Sequence, residues 1–418
     1  MKRVYLLLVL GLLTKWAVFA QNSYQIASQN GTVCLTNSST LDRKDYPVVV
    51  SIKDYPDVQQ VKVTLDGKEI PSQLDDLDRD GFYDELCFLV DIKKGEKQEY
   101  KIEMMEYGEP RQYNPRTFAE IMLRNPKIKE KNKHDLYLSE ITATQDLKDQ
   151  YHLLHHHGVA FESELIAIRI YFDKRQTLDL YGKKNKGLEV KETQFYPTKE
   201  QKAAGYGDDV LWVGNTFGLG ALRGWDGNEP TMIEDVMHRT QRIIATGPVR
   251  TIVELEDRGW KINENMPRVN TTIRYTLYGG HRDIDVDVFF NRDVSAQLFS
   301  TGIINVKGSE EFTDHKGVRG CWGTAFPSSE KDSVDHPRET VGLGIYVPDR
   351  YRMKEVDANK DNYAYVLNTQ DQHISYKLVY TSANETFGPG SKKKWFGYLK
   401  GWRKEIETPV EVSVNMGR

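Results

Sequence analysis

"DIDVDVFF", residues 283–290, sets aspartates and aliphatic side chains in strict alternation. Successive side chains of an extended chain leave on opposite faces, so Asp283, Asp285 and Asp287 share one face and Ile284, Val286 and Val288 the other. A helix would scatter the same residues around its circumference. The stretch therefore reads as a strand with one wet face and one core face. The same rhythm recurs outward from it in "VNTTIRYTLYG" (269–279), "RTIVELEDRG" (250–259), "HISYKLVYT" (373–381) and "TVGLGIYVPD" (340–349). Nearer the N-terminus, "YPVVVSIKD" (46–54), "CFLVDI" (87–92) and "KQEYKIEM" (97–104) are short β-rich runs, and Asp66-Gly67 in "LDGKEI" is a hairpin turn. No helical heptad or short-period repeat is visible. The expected fold class is all-β. An immunoglobulin-like sandwich spans 21–105, a charged linker with one short helix spans 106–135, and a large antiparallel sandwich takes 136–418.

With 418 residues, 39% hydrophobic and 28% charged, the chain can bury a sizeable core, and its net charge of −4 supplies no basic field for nucleic acid. "MKRVYLLLVLGLLTKWAVFA" has Lys2 and Arg3, an apolar run too short to span a bilayer, and small residues up to Ala20. It reads as a secretory signal over 1–20 and places the mature protein in the periplasm or outside the cell. No later segment reads as a membrane span. Cys34, Cys87 and Cys321 are odd in number, so at least one is not paired within the chain. Cys34 and Cys87 either bridge or stand as buried thiols. Nothing in the sequence fixes an oligomeric state.

Titratable chemistry concentrates in "YHLLHHHGVAFESELIAIRIYF", residues 151–172. Read as one continuous strand, it puts His156, Glu162 and Glu164 on one face and His155, His157 and Arg169 on the other. Glu162 and Glu164 lie roughly 6.5–7 Å apart along such a strand, a separation open to a glycosidase pair. A nearby imidazole is a candidate general base or acid. His155 and His157 also form a weak metal-binding pattern. In "QTLDLYGKKNKG" (176–187), Asp179, Tyr181 and Lys183 alternate to one side, and the lysine can activate the phenol. "YGDDVLWVGNTFGLGALRGWDG" (206–227) lacks dinucleotide-binding spacing. It reads as a glycine-rich loop where Trp212 and Trp225 stack on sugar rings, Arg223 clamps a carboxylate, and Asp208 and Asp209 are acids. In "DDLDRDGFYDEL" (75–86), Asp76, Asp78, Asp80 and Asp84 follow calcium-loop spacing, but Cys87 stands where the bidentate glutamate belongs. No cofactor is required by these readings, and calcium here would be structural.

The blocks "HHHGVAFESE" (155–164), "RIYFDKRQTLDLYGK" (169–183), "GLGALRGWDG" (218–227) and "ATGPVRTIVEL" (245–255) together resemble a secreted bacterial family. Its members accompany pectin- and uronate-degrading enzymes, and some are joined to unsaturated-glucuronyl hydrolase domains. The resemblance covers most of the mature chain and implies a galactose-mutarotase-like supersandwich. Its matched positions are His155 to Gly158, Glu162, Glu164, Arg169, Asp179, Tyr181 and Lys183. The family carries no established catalytic assignment, and fold alone does not fix a reaction. The leading expectation is β-elimination on uronate-containing plant-type glycans. His156 or His157 would be the base, Arg169 and Lys183 would neutralise the carboxylate, and Tyr181 would be the acid. The alternatives are a glycoside hydrolase using Glu162, Glu164 or the Asp208–Asp209 pair, and a non-catalytic glycan-binding or epimerase-like protein.

Overall fold

The computed structural model describes residues 28–328 and 337–417. The signal expected over 1–20 lies outside them. The alternating runs form strands, and the strands form five sheets. Nine antiparallel strands make the largest, with Asp283–Phe290 near its centre between Val269–Tyr278 and His373–Ser382. Ile284, Val286 and Val288 are fully buried, as their period demands, while the aspartates face outward into ion pairs such as Asp285 with Lys377. Against this sheet's inner face lie a six-stranded and a five-stranded sheet, and one continuous core joins all three. This is an all-β sandwich.

The N-terminal unit is a smaller sandwich of five-stranded and three-stranded sheets around Val33, Val48, Val50, Phe88 and Ile102. Two departures from the expected boundaries have clear physical origins. Thr117–Leu123, within the stretch read as a linker, is a strand of the six-stranded sheet, paired with Gly158–Ser163. The C-terminal strand Glu411–Met416 returns to pair with Ser28–Thr36, so the first sandwich is built from both ends of the chain. Before it comes a helix, Lys392–Glu407, whose Trp395, Leu399 and Trp402 cover the outer face of the large sheet. Gly342 makes that contact possible, because a Cβ there would meet the Trp395 ring at 2.8 Å.

The two sandwiches are locked together. Arg250 pairs with Asp75 and Glu85 at 2.7 Å each, and the Gln73 side chain caps the backbone of Val249 and Arg250. Cys87 is packed into the same seam. Cys34, Cys87 and Cys321 are all free thiols. Among the described residues no helix is long and apolar enough to cross a membrane.

Candidate functional site

The site is built on one face of the six-stranded sheet. The histidine segment is not one continuous strand. Gly158–Ser163 and Ala167–Tyr171 are the two arms of a hairpin, and Glu164 sits in its turn. Gly158 starts the first arm because any side chain there would strike the Ile170 carbonyl, at 1.6 Å from a Cβ. Directly opposed residues share a face. The register sets Glu120 across from Ala160, Ala160 from Arg169, and Arg169 from Asp179. In the next row Glu162 opposes Ala167, Ala167 opposes Tyr181, and Tyr181 opposes Asp209. A single sheet face thus carries three carboxylates from sequence-distant strands beside Glu162 and Arg169. The opposite face, with Phe161, Ile168 and Ile170, belongs to the core.

The inner end of this face is closed. Glu162 and Lys183 are fully buried and ion-paired, and the carboxylate also accepts the Glu189 and Val190 amides at 2.9 and 2.8 Å. Tyr181 is buried beside Phe195, and burial pushes its phenol well above the ordinary range. His156 is buried with Nε2 3.2 Å from Glu120 Oε1. Burial holds this imidazole down to about 3 and pushes the Glu120 carboxyl up to about 8, so the pair is neutral rather than ionic. None of these groups reaches a cleft, so Glu162, Lys183, Tyr181 and His156 do not form the expected catalytic wall. Glu164 is diverted to the seam between the sandwiches, accepting from Arg116 at 2.5 Å and the Gly280 amide at 2.6 Å.

The outer end is open. Arg169 holds two carboxylates at once, its Nη2 lying 2.7 Å from Asp179 and 2.9 Å from Asp209. Tyr171 donates to the same Asp179 oxygen at 2.6 Å, and Arg169 donates to the Tyr196 hydroxyl at 3.3 Å. Asp209 keeps 22% of its side chain exposed. Burial, then the adjacent Asp179 charge, raises its carboxyl well above the usual range against the pull of Arg169. Two carboxyl groups on one guanidinium favour retention of a proton, and the upward shift at Asp209 suits it to act as an acid. A hollow of ≈ 210 Å³ exposes Asp209, Tyr196 and the indole of Trp212, which is 61% exposed.

Lys131 and Tyr196 also line a neighbouring hollow of ≈ 650 Å³. Its wall bears Arg124, Lys129, Lys131, His155 and His157, with no Asp or Glu among the described lining residues. His155 stacks on His134 at 3.8 Å with Nε2 unpartnered. His157 sits in the left-handed region, φ 70°, its ring stacked at 3.9 Å on Tyr151. Its Nδ1 donates to the Tyr151 carbonyl at 3.0 Å, which leaves the Nε2 lone pair free. Burial keeps both imidazoles neutral, each held down to about 3. Tyr196, Lys131 and Glu120 were missed in the sequence because isolated residues there carried no pattern.

All but one of the remaining candidates lie elsewhere. Arg223 is buried under the glycine-rich loop, donating to Thr177 and the Thr216 carbonyl, and burial draws its guanidinium down to about 10. Trp225 packs within its strand Arg223–Trp225. Neither borders the hollow, so neither clamps nor stacks there. Asp208 does line the Asp209 hollow, where it pairs with Lys202. Asp76, Asp78 and Asp84 gather ligand atoms within 4.8 Å of one another, whereas Asp80 accepts from the Phe82 amide at 2.9 Å. Lys53 and loop amides already satisfy part of that cluster.

No curated protein sequence matches the chain. Solved structures that align with it include an alpha-mannosidase from Enterococcus faecalis V583, 10% identical, with a TM-score of 0.44 over 92% of this chain and 46% of that one. A glycosyl hydrolase family 38 protein from Enterococcus faecalis aligns at 11% identity and TM-score 0.44, over 92% of this chain and 47% of that one. The chain spans about half the length of these proteins. Residues 35–412 match the family described as Domain of unknown function (DUF4861), and the chain belongs to that family.

Proposed function

We propose that this protein is a carbohydrate-active enzyme that cleaves uronate-containing glycans by β-elimination. The observation that carries the reading is the juxtaposition of a cation-walled hollow with one that exposes Asp209, whose carboxyl burial and the neighbouring Asp179 raise well above the usual range. Arg124, Lys129 and Lys131 neutralise the uronate carboxylate and so acidify the proton α to it. The Nε2 lone pair of His157 takes that proton from C5. The electron pair forms the C4–C5 double bond, the C4–O4 bond breaks, and Asp209 gives its proton to the departing oxygen. Trp212 supplies an apolar platform for a sugar ring. Tyr196 borders both hollows and orders the junction.

Hydrolysis is the second reading, favoured by the convergence of Asp179 and Asp209 on one guanidinium nitrogen. Incubation with uronate-rich oligosaccharides separates the two. Elimination yields an ultraviolet-absorbing conjugated product lighter by one water than its hydrolytic counterpart. Cleavage without that absorbance leaves hydrolysis, and binding without cleavage removes both. Secretion is part of the proposal, and N-terminal sequencing of the mature protein tests it. Structural calcium at Asp76, Asp78 and Asp84 is a separate proposal, tested by whether calcium raises Tm relative to chelator.

A further inference from the structure

We infer that the groove continues past the acid-bearing hollow into a second anionic-sugar site, so that the protein grips an internal stretch of a polyanionic glycan from both sides. The inference rests on the uronate reading above. Beyond Trp212 lies a hollow of ≈ 880 Å³ that shares Leu211, Trp212 and Ser328 with the hollow of Asp209. Three depressions therefore abut in series, and the acid occupies the middle one. Among the described residues the far wall carries Lys307, Arg338 and Lys360 against a single carboxylate, Asp361. Lys307 and Lys360 are exposed and have no carboxylate partner among the described residues. Arg338 is fixed by donating to the Thr324 carbonyl at 2.8 Å and by lying over the Phe326 ring at 5.8 Å. The chain as a whole is slightly acidic, so cations at both ends of one groove are not a reflection of bulk charge. The exposed Trp212 indole stands at the joint, where a sugar ring passing between hollows would lie across it. A short oligouronate fills the histidine and acid hollows. A longer one also reaches the lysines.

Calorimetric titration of the full chain with galacturonate oligomers of graded length tests this. Affinity should rise with length, and Lys307→Glu/Lys360→Glu should erase that gain, about tenfold for two partly screened ion pairs, while leaving short oligomers unaffected. Lys94→Glu/Lys97→Glu, on the distant N-terminal sandwich, changes net charge equally and should leave the length dependence intact. Affinity independent of length, or equal losses for short and long oligomers, would each overturn the second site while leaving the uronate reading standing. Undiminished binding of methyl-esterified long oligomers would overturn both readings. Failure of every oligomer to bind wild-type protein would remove both.

Discussion

Asp209 and Asp179 share one guanidinium, and burial together with the Asp179 charge raises the Asp209 carboxyl well above its usual range. Asp209→Asn preserves the shape and hydrogen bonding of the neutral acid but has no proton of useful acidity to give. Turnover should fall on the order of 10²–10⁴-fold with little change in oligosaccharide affinity, measured by product absorbance and titration calorimetry. The same substitution should stabilise the fold. A carboxyl whose folded pKa is raised binds its proton more tightly when folded, so its contribution is favourable in acid and is lost as pH rises past the unfolded value near 3.9. At neutral pH the amide escapes that penalty, and urea unfolding should show a gain of about 1 kcal/mol. Glu162 and Lys183 obey the opposite logic, because both are fully buried and the pair is intact. Lys183→Met strands the carboxylate and should cost roughly 3–5 kcal/mol, with Glu162→Gln in the same chain recovering much of it. If Lys183→Met abolished turnover without loss of stability, the interior assignment of this pair would be wrong.

The helix Lys392–Glu407 shows how backbone and packing divide the work within one segment. Trp395, Leu399 and Trp402 recur at i, i+4 and i+7 and bury one narrow stripe, while Gly397 and Gly401 face open space. Gly397→Ala should therefore raise stability by about 0.5–1 kcal/mol through backbone entropy alone. Gly158→Ala has no such freedom, since the new Cβ would overlap the Ile170 carbonyl, and loss of the folded protein is expected by thermal melting. The contrast explains what was legible beforehand. Strands such as Asp283–Phe290 declare themselves through period 2, whereas this helix spreads its three buried side chains among lysines, glycines and less buried aromatics. The strand Thr117–Leu123 was obscured by charged flanks. Its Glu120 reaches His156 only because this strand, remote in sequence, pairs with Gly158–Ser163. Candidate residues could be picked from composition, but whether each faces the groove or the interior depended on the hairpin turn at Glu164, which parity along one strand could not foresee.

Across the whole molecule, the groove-bearing body and the N-terminal sandwich are held by a seam whose strength depends on pH. His281 donates Nε2 to the Asp45 carbonyl at 2.7 Å and Nδ1 to Asp283 at 2.9 Å, so it tethers the smaller sandwich to the large sheet through both ring nitrogens. Both bonds require the imidazolium. Burial works against its charge, but the Asp283 carboxylate outweighs burial and the pKa rises to about 9. A histidine whose folded pKa is raised contributes stability that is fully present below its ordinary value near 6.5 and is lost as pH climbs through about 9. The Arg116 bridge from Asp45 to Glu164 runs alongside and does not titrate in that window, so the seam should weaken without parting. Denaturant unfolding across this range should show wild-type stability declining toward alkaline pH. His281→Gln should start lower and lack the decline, because the amide makes at most one of the two bonds at any pH. Equal slopes for the two proteins would show that the tether is neutral.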